Sequence, residues 1–318
     1  MLLSTFVPML GLWLSISTSA VASPNFQFHR LERPSGQSQN GGLEPAKSSP
    51  RLGSQCNLHT SAEERAEENK SLRRMRSSHR AGEWSDVTIP VHFHILASNE
   101  TEAGGWLPDE QIEAQMQVLN DDFAAVQINW ELVNVTRIIN ERWFHGLGDK
   151  PVEKMWLEVG KELRVGGIDV LNIYTSEHAE GLGYASMPSF FDGTVESLTS
   201  DGIVINAYTL PGGRYAPYNG GRTLTHEAGH WAGLHHTFVE EEDRVKEGCD
   251  GNGDYVDDTP AQLEPTYDCQ QRDTCAEQEG LDPINNFMDY SFDTCLQEFT
   301  PGQIERMRQE IATYREIE

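Results

Sequence analysis

Basic residues are scarce in most of this chain. Residues 1–85 hold 10 of the 24 Lys/Arg and 7 of the 50 Asp/Glu, so residues 86–318 hold 14 against 43. A body this acidic has no cationic surface with which to neutralise phosphates, which argues against nucleic acid as a partner. Its plain consequence is a solvated acidic surface, though such a field also draws cationic substrates. Long hydrophobic runs are missing after the first 22 residues, so no later segment can span a bilayer and no stable membrane association is expected. Internal repeats are absent, which removes solenoids and propellers from consideration. Cysteine is sparse, at five residues, and four of them crowd into positions 249–295.

The first 22 residues carry no charged side chain and end in Ala20-Val21-Ala22, a small-x-small cleavage pattern. Pro8 and the run of Ser and Thr disfavour a retained anchor, so the segment is expected to be a signal peptide and the product secreted and extracellular. Three N-x-S/T acceptors, at Asn69, Asn99 and Asn134, become glycosylation candidates in that compartment. Residues 23–80 form a leader. Its first part is rich in Pro, Gly, Ser, Gln and Asn without periodicity. Residues 61–76 are charged enough for a solvated helix and end in Arg73-Arg74-Met75-Arg76, which suits a processing region or a plain charged linker.

From residue 81 the texture is that of one folded domain reaching residue 318. Residues 87–97 alternate as a strand, and residues 108–126 place Ile112, Met116, Leu119 and Phe123 at helical spacing. Residues 128–135, 170–174 and 202–208 also read as strands, with 183–188 an edge strand. Helices are expected at 223–234 and 301–314. Strands and one helix, then an irregular cysteine-bearing region and a last helix, predict an α+β domain with a cleft beside a smaller lobe. A monomer is expected.

Residues 226–236 read His-Glu-Ala-Gly-His-Trp-Ala-Gly-Leu-His-His, matching H-E-x-x-H-x-x-G-x-x-H. Residues four apart share a helix face, so His226 and His230 can reach one ion. Gly233 can adopt a left-handed conformation that ends the helix and returns the chain, bringing His236 as a third nitrogen ligand. Three protein ligands leave a fourth position of Zn²⁺ open, the mark of a catalytic site. Glu227 is then free to act as a general base. The spacing selects His236 over His235, which is assigned to packing. His92 and His94, on one strand face, are assigned structural roles.

About 50 residues downstream lies Asn286-Phe287-Met288-Asp289-Tyr290. The string is that of a Met-turn. Met288 would form an apolar floor beneath the metal, and Tyr290 could donate a hydrogen bond to a developing oxyanion. Cys249, Cys269, Cys275 and Cys295 imply two disulfides with three possible pairings in an oxidising compartment. Cys56 stands alone in the leader, where its thiolate could occupy the open metal position and hold a zymogen latent; a leftover thiol and an intermolecular bond are the competing readings. Asp254, Asp257 and Thr259 offer oxygen ligands on a glycine-flexed loop that suits Ca²⁺ or an ordinary polar turn.

These strings, together with Pro211-Gly212-Gly213, Gly221-Arg222-Thr223 and Phe299-Thr300-Pro301-Gly302-Gln303, resemble the pappalysin-type metzincins, in particular their secreted fungal metalloproteases. The resemblance runs from about residue 88 to 314. It implies a metzincin zincin fold, with a five-stranded twisted sheet, a backing helix and an active-site helix over a disulfide-stapled lower lobe. It also implies the pairs Cys249–Cys275 and Cys269–Cys295, structural calcium near residues 250–259, and an edge strand near Gly183 that binds extended peptides. The activity implied is zinc endopeptidase cleavage of protein or peptide substrates. A secreted binding protein that keeps zinc only for structure, and a zinc hydrolase of non-peptide amides or esters, are the rivals. An intact Glu227 disfavours the first, and a peptide-binding edge strand would disfavour the second.

Overall fold

The computed structural model describes residues 61–75, 84–148, 152–177, 181–241 and 243–318. The signal-like segment and Cys56 lie outside them. Five strands form one sheet in the order β2-β1-β3-β5-β4: β1 Val87–Ala97, β2 Ile128–Ile139, β3 Leu171–Ser176, β4 Gly183–Ala185 and β5 Ile203–Asn206. All neighbours are parallel except β4, which runs antiparallel to β5 at the sheet edge. Parallel neighbours require crossover connections, and helices supply them.

Alternation along β1 sends Val87, Ile89, Val91, Phe93 and Ile95 to one face, where all are buried. There they meet Ile112, Met116 and Leu119 of α2 (Asp109–Asp122) and Leu224, Ala228 and Trp231 of α6 (Arg222–Trp231). Met307 and Ile311 of α8 (Pro301–Tyr314) close the same core. The opposite face is covered too. Leu96, Tyr174 and Val204 pack on Trp143 of α3 (Glu141–Gly146) and on Trp156 and Val159 of α4 (Val152–Leu163). The sequence reading missed this second layer, although Met155, Trp156, Val159 and Leu163 follow helical spacing. A short α5 (Val195–Thr199) lies between β4 and β5.

Strand and helix bounds shift modestly from expectation. β2 continues to Ile139, past a bulge at Val133 where Val91 pairs with Leu132 but His92 with Asn134. β4 is only three residues long, because Pro188 opens a 3-10 turn. α6 stops at Trp231, since Gly233 has φ +101° and turns the chain away. After it comes the lower lobe, largely irregular apart from α7 (Arg244–Glu247). It is stapled by Cys249–Cys275 and Cys269–Cys295, with Cα atoms 5.6 and 5.8 Å apart. The lobe is tied to α8 by Asp258, whose carboxylate accepts from Thr300 Oγ1 at 2.7 Å and Gly302 N at 2.9 Å.

One expectation needs correcting. Residues 62–75 do form a helix, α1 (Ala62–Met75), but not a solvated one. Arg65, Glu68, Asn69 and Leu72 are buried against the folded domain. Charge alone suggested a solvated helix; the partners that bury these groups lie more than a hundred residues away in sequence.

Candidate metal centre and active site

α6 presents His226 and His230 on one face, and the turn at Gly233 returns His236 to meet them. The three Nε2 atoms lie 3.1, 3.0 and 3.2 Å apart, and all three rings are buried. The other ring nitrogens fix the tautomers. His226 Nδ1 donates to Phe287 O at 2.7 Å, His230 Nδ1 donates to Leu234 O at 2.7 Å, and His236 Nδ1 lies 2.5 Å from Glu240 Oε1. A carbonyl can only accept, so the Nδ1 atoms of His226 and His230 carry the protons, and each Nε2 is left with a bare lone pair. Burial pushes the His226 imidazole down to about 3 and His230 well below its usual range, with neighbouring His236 acting in the same direction. Three converging lone pairs, none of which can donate to another, fit a divalent cation and repel one another without it. Tetrahedral nitrogen ligands to Zn²⁺ stand about 3.3 Å apart, close to what is seen. Outer-shell acceptors on each Nδ1 are what metal-binding histidines require.

The Met-turn braces this set from below. Met288 is fully buried, and a Cβ added at Gly229 would lie 2.5 Å from its sulfur, so only glycine on α6 lets the turn come this close. Asn286 Oδ1 accepts from Met288 N at 2.9 Å and holds the turn, while Phe287 supplies the carbonyl that orients His226. Tyr290 places its hydroxyl 3.2 Å from His236 Nε2, with its ring packed on Phe238. Glu227 is buried beside Gly183 of β4, where any side chain would overlap its carboxyl. The base candidate therefore stands between the histidines and the sheet edge. A narrow pocket beside it is lined by Leu182, Arg222, Thr223, His226, Glu227 and Asp293 among others. Asp293 accepts from Gly220 N at 2.6 Å, and burial pushes its carboxyl up to about 6. Sequence reasoning missed Glu240 and Gly229, and it placed Gly183 on the edge strand without its close approach to Glu227. The only available signal was Glu240 falling four residues after His236.

A family comparison decides what this arrangement belongs to. Peptidase family M43, described as Pregnancy-associated plasma protein-A, matches residues 168–312. An extracellular metalloprotease of Verticillium alfalfae is 43% identical over 224 residues, covering 70% of this chain and 76% of that protein. The chain belongs to the M43 family. A Colletotrichum graminicola extracellular metalloprotease is 42% identical over 231 residues, covering 72% of this M43 chain and 78% of its own. Among solved structures, a promirolysin variant of Tannerella forsythia superposes with a TM-score of 0.64 at 25% identity, covering 81% of this chain and 94% of its own. Mature mirolysin in complex with a cleaved peptide gives 0.58 at 27% identity, covering 71% and 91%. The fold is metzincin-like, and this M43 member is a zinc metalloendopeptidase.

Among the described residues, the histidine triad is the only set of three or more His, Cys, Asp or Glu whose ligand atoms converge. The 254–259 loop gathers no such set. Asp254 is buried and accepts from Val256 N at 3.0 Å, burial pushing its carboxyl up to about 7, while Asp257 is exposed. His94 bonds Thr136 Oγ1 at 2.7 Å and Asn172 Oδ1 at 3.1 Å, a structural role. His235 packs 3.3 Å from Arg306 Nη2 rather than joining the triad. Asn99 and Asn134 are exposed, but Asn69 is buried on α1 and its Oδ1 accepts from Arg306 Nη1 at 3.4 Å. Asn69 is thus the least accessible of the three acceptors.

Proposed function

We propose that this M43 peptidase is made as a secreted precursor and cuts polypeptides laid along β4, with Glu227 carrying the proton. Convergence of the three Nε2 lone pairs beside Glu227 and the sheet edge is the observation that supports it most. Zn²⁺ held by His226, His230 and His236 would polarise the scissile carbonyl and make water acidic enough to attack at neutral pH. An edge strand has unpaired backbone groups, so an extended substrate can add to the sheet at β4 and bring its carbonyl past Glu227. Glu227 takes a proton from the attacking water and returns it to the leaving amine, which avoids expelling an amide anion. The Tyr290 hydroxyl, beside His236, donates to the oxyanion as charge develops there. Burial of Glu227 and the Met-turn excludes bulk water from the triad, which strengthens each of these interactions.

Glu227→Ala is expected to keep its metal yet lose about 10²–10⁴-fold in kcat/KM on a peptide or on denatured casein. Cleavage by that variant at the native rate would remove Glu227 from the mechanism. Latency rests on Cys56, whose thiolate would compete for the open metal position. A Cys56→Ala precursor should cleave casein without prior processing, and a variant as inert as the native precursor would place the lock elsewhere.

A further inference from the structure

α1 belongs by sequence to the leader, yet one side of it is buried in the catalytic unit. Arg65, Glu68, Asn69 and Leu72 fall at i, i+3, i+4 and i+7, one helix face, while Glu63, Glu64, Glu67, Lys70, Arg73 and Arg74 stay exposed. Both charges on the buried side meet groups of opposite sign or hydrogen-bonding partners. Arg65 Nη2 reaches Asp243 Oδ2 at 3.1 Å and Glu247 Oε2 at 3.4 Å. Glu68 Oε1 accepts from Arg306 Nη2 at 2.7 Å and lies 3.5 Å from His235 Nε2, while its Oε2 accepts from Ser189 Oγ at 3.0 Å. Arg65, Asp243, Glu68, Arg306 and His235 are each nearly excluded from solvent. An isolated helix of this length and charge is marginal in water, so its order comes from the surface it sits on.

The partners of Glu68 give the contact its meaning. Ser189 lies in the turn that follows β4, the edge where substrate is laid. Arg306 Nε donates to Gly233 O at 2.8 Å, and His235 precedes the ligand His236. A single buried carboxylate thus joins the segment after the substrate edge to the loop carrying the third metal ligand.

We propose that the catalytic unit carries a docking face for residues 62–75. Helix α1 seated there, joined to residue 84 or cut within its basic end, ties residues 187–190 to residues 233–236. Charge complementarity identifies the occupant as this chain's own leader segment. The helix is then a lasting part of the working enzyme rather than a discarded leader. Removing one partner of a buried ion pair leaves an uncompensated charge, so the face should be sensitive to single substitutions and tolerant of a charge exchange.

The first test uses the wild-type enzyme as secreted, by native mass spectrometry at near-physiological ionic strength and then under denaturing conditions. Residues 62–75 should be present, covalently or as a retained peptide; their absence overturns the proposal. The second is hydrogen exchange on the full chain, comparing wild type with Arg65→Glu, Asp243→Arg and both together. Each single variant should exchange on the order of 100-fold faster in residues 62–75, 187–190 and 233–240, and the exchanged pair should recover most of that protection. Acceleration confined to residues 62–75 would defeat the tie between the two segments, and none anywhere would defeat the docking. Should the single variants fail to fold, the wild-type measurement still decides. Neither readout depends on catalysis, so each stands apart from the role given to Glu227.

Discussion

His94 and the metal triad are both buried, and they differ in where the second ring nitrogen goes. His94, between β1's neighbours, finds Thr136 with one ring nitrogen and Asn172 with the other, and its ring stacks on Tyr174 at 4.9 Å between centroids. Each ring nitrogen there has a partner: Asn172 Oδ1 accepts from Nε2, and the Thr136 hydroxyl can donate to Nδ1. In the triad the Nδ1 atoms are committed to Phe287 O, Leu234 O and Glu240, and the Nε2 atoms converge on one another, with the Tyr290 hydroxyl 3.2 Å from that of His236. Burial does not distinguish the two groups. The unmet lone pairs do, and they separate a histidine that holds the fold from one that holds a metal.

Substitution on each side should break that comparison cleanly. His230→Ala removes the ligand buried deepest on α6, and should cost at least about 10⁴-fold in peptide cleavage together with the metal. Tyr290→Phe removes only the hydroxyl beside His236, so a loss of roughly 10- to 10³-fold in kcat is expected, with metal content unchanged. An unaltered kcat would restrict Tyr290 to packing. His94→Leu should leave kcat/KM within about threefold, because nothing on that side meets substrate. Its effect falls on stability, at about 1–3 kcal/mol, since Thr136 and Asn172 lose a buried partner. A large activity loss without unfolding would erase the distinction between the two groups.

Acid sharpens the same contrast. Burial pushes His94 down to about 4 in the folded chain, from an ordinary value of 6.5. Between those two pH values the unfolded chain binds the extra proton, so His94 makes stability fall as pH drops from 6.5 towards 4. Asp122 and Asp293 act with the opposite sign. Burial raises both to about 6, so the folded state holds more protons and gains stability as pH falls through that value. Denaturant unfolding of wild type and His94→Leu across this range should show the acid-side loss reduced in the variant. Parallel curves would mean that His94 does not carry it.

Much of the site was legible because it is local. The 3.6-residue period puts His226 and His230 together, and Gly233 supplies the positive φ that returns His236. The same logic found α8, whose Thr300 and Gln303 form a reciprocal cap. What sequence could not supply is long-range pairing. Nothing local sets β5 between β3 and β4, or shows that Gly183 must be bare because Glu227 lies against it. Glu68 is the sharpest case. In a run rich in Glu, Arg and Lys it looks solvated, yet its partners stand at positions 189, 235 and 306. α4 was missed for a different reason: the helical spacing of Met155, Trp156, Val159 and Leu163 was present in the sequence but went unread.

Zinc content per chain, measured on wild type, Glu227→Ala and His230→Ala alongside casein cleavage, tests the central claim most directly. Converging lone pairs with a separate proton carrier predict about one zinc in wild type and Glu227→Ala and almost none in His230→Ala, with cleavage in wild type alone. A metal-free wild type that still cleaves, or a His230→Ala chain that keeps stoichiometric zinc, would contradict it.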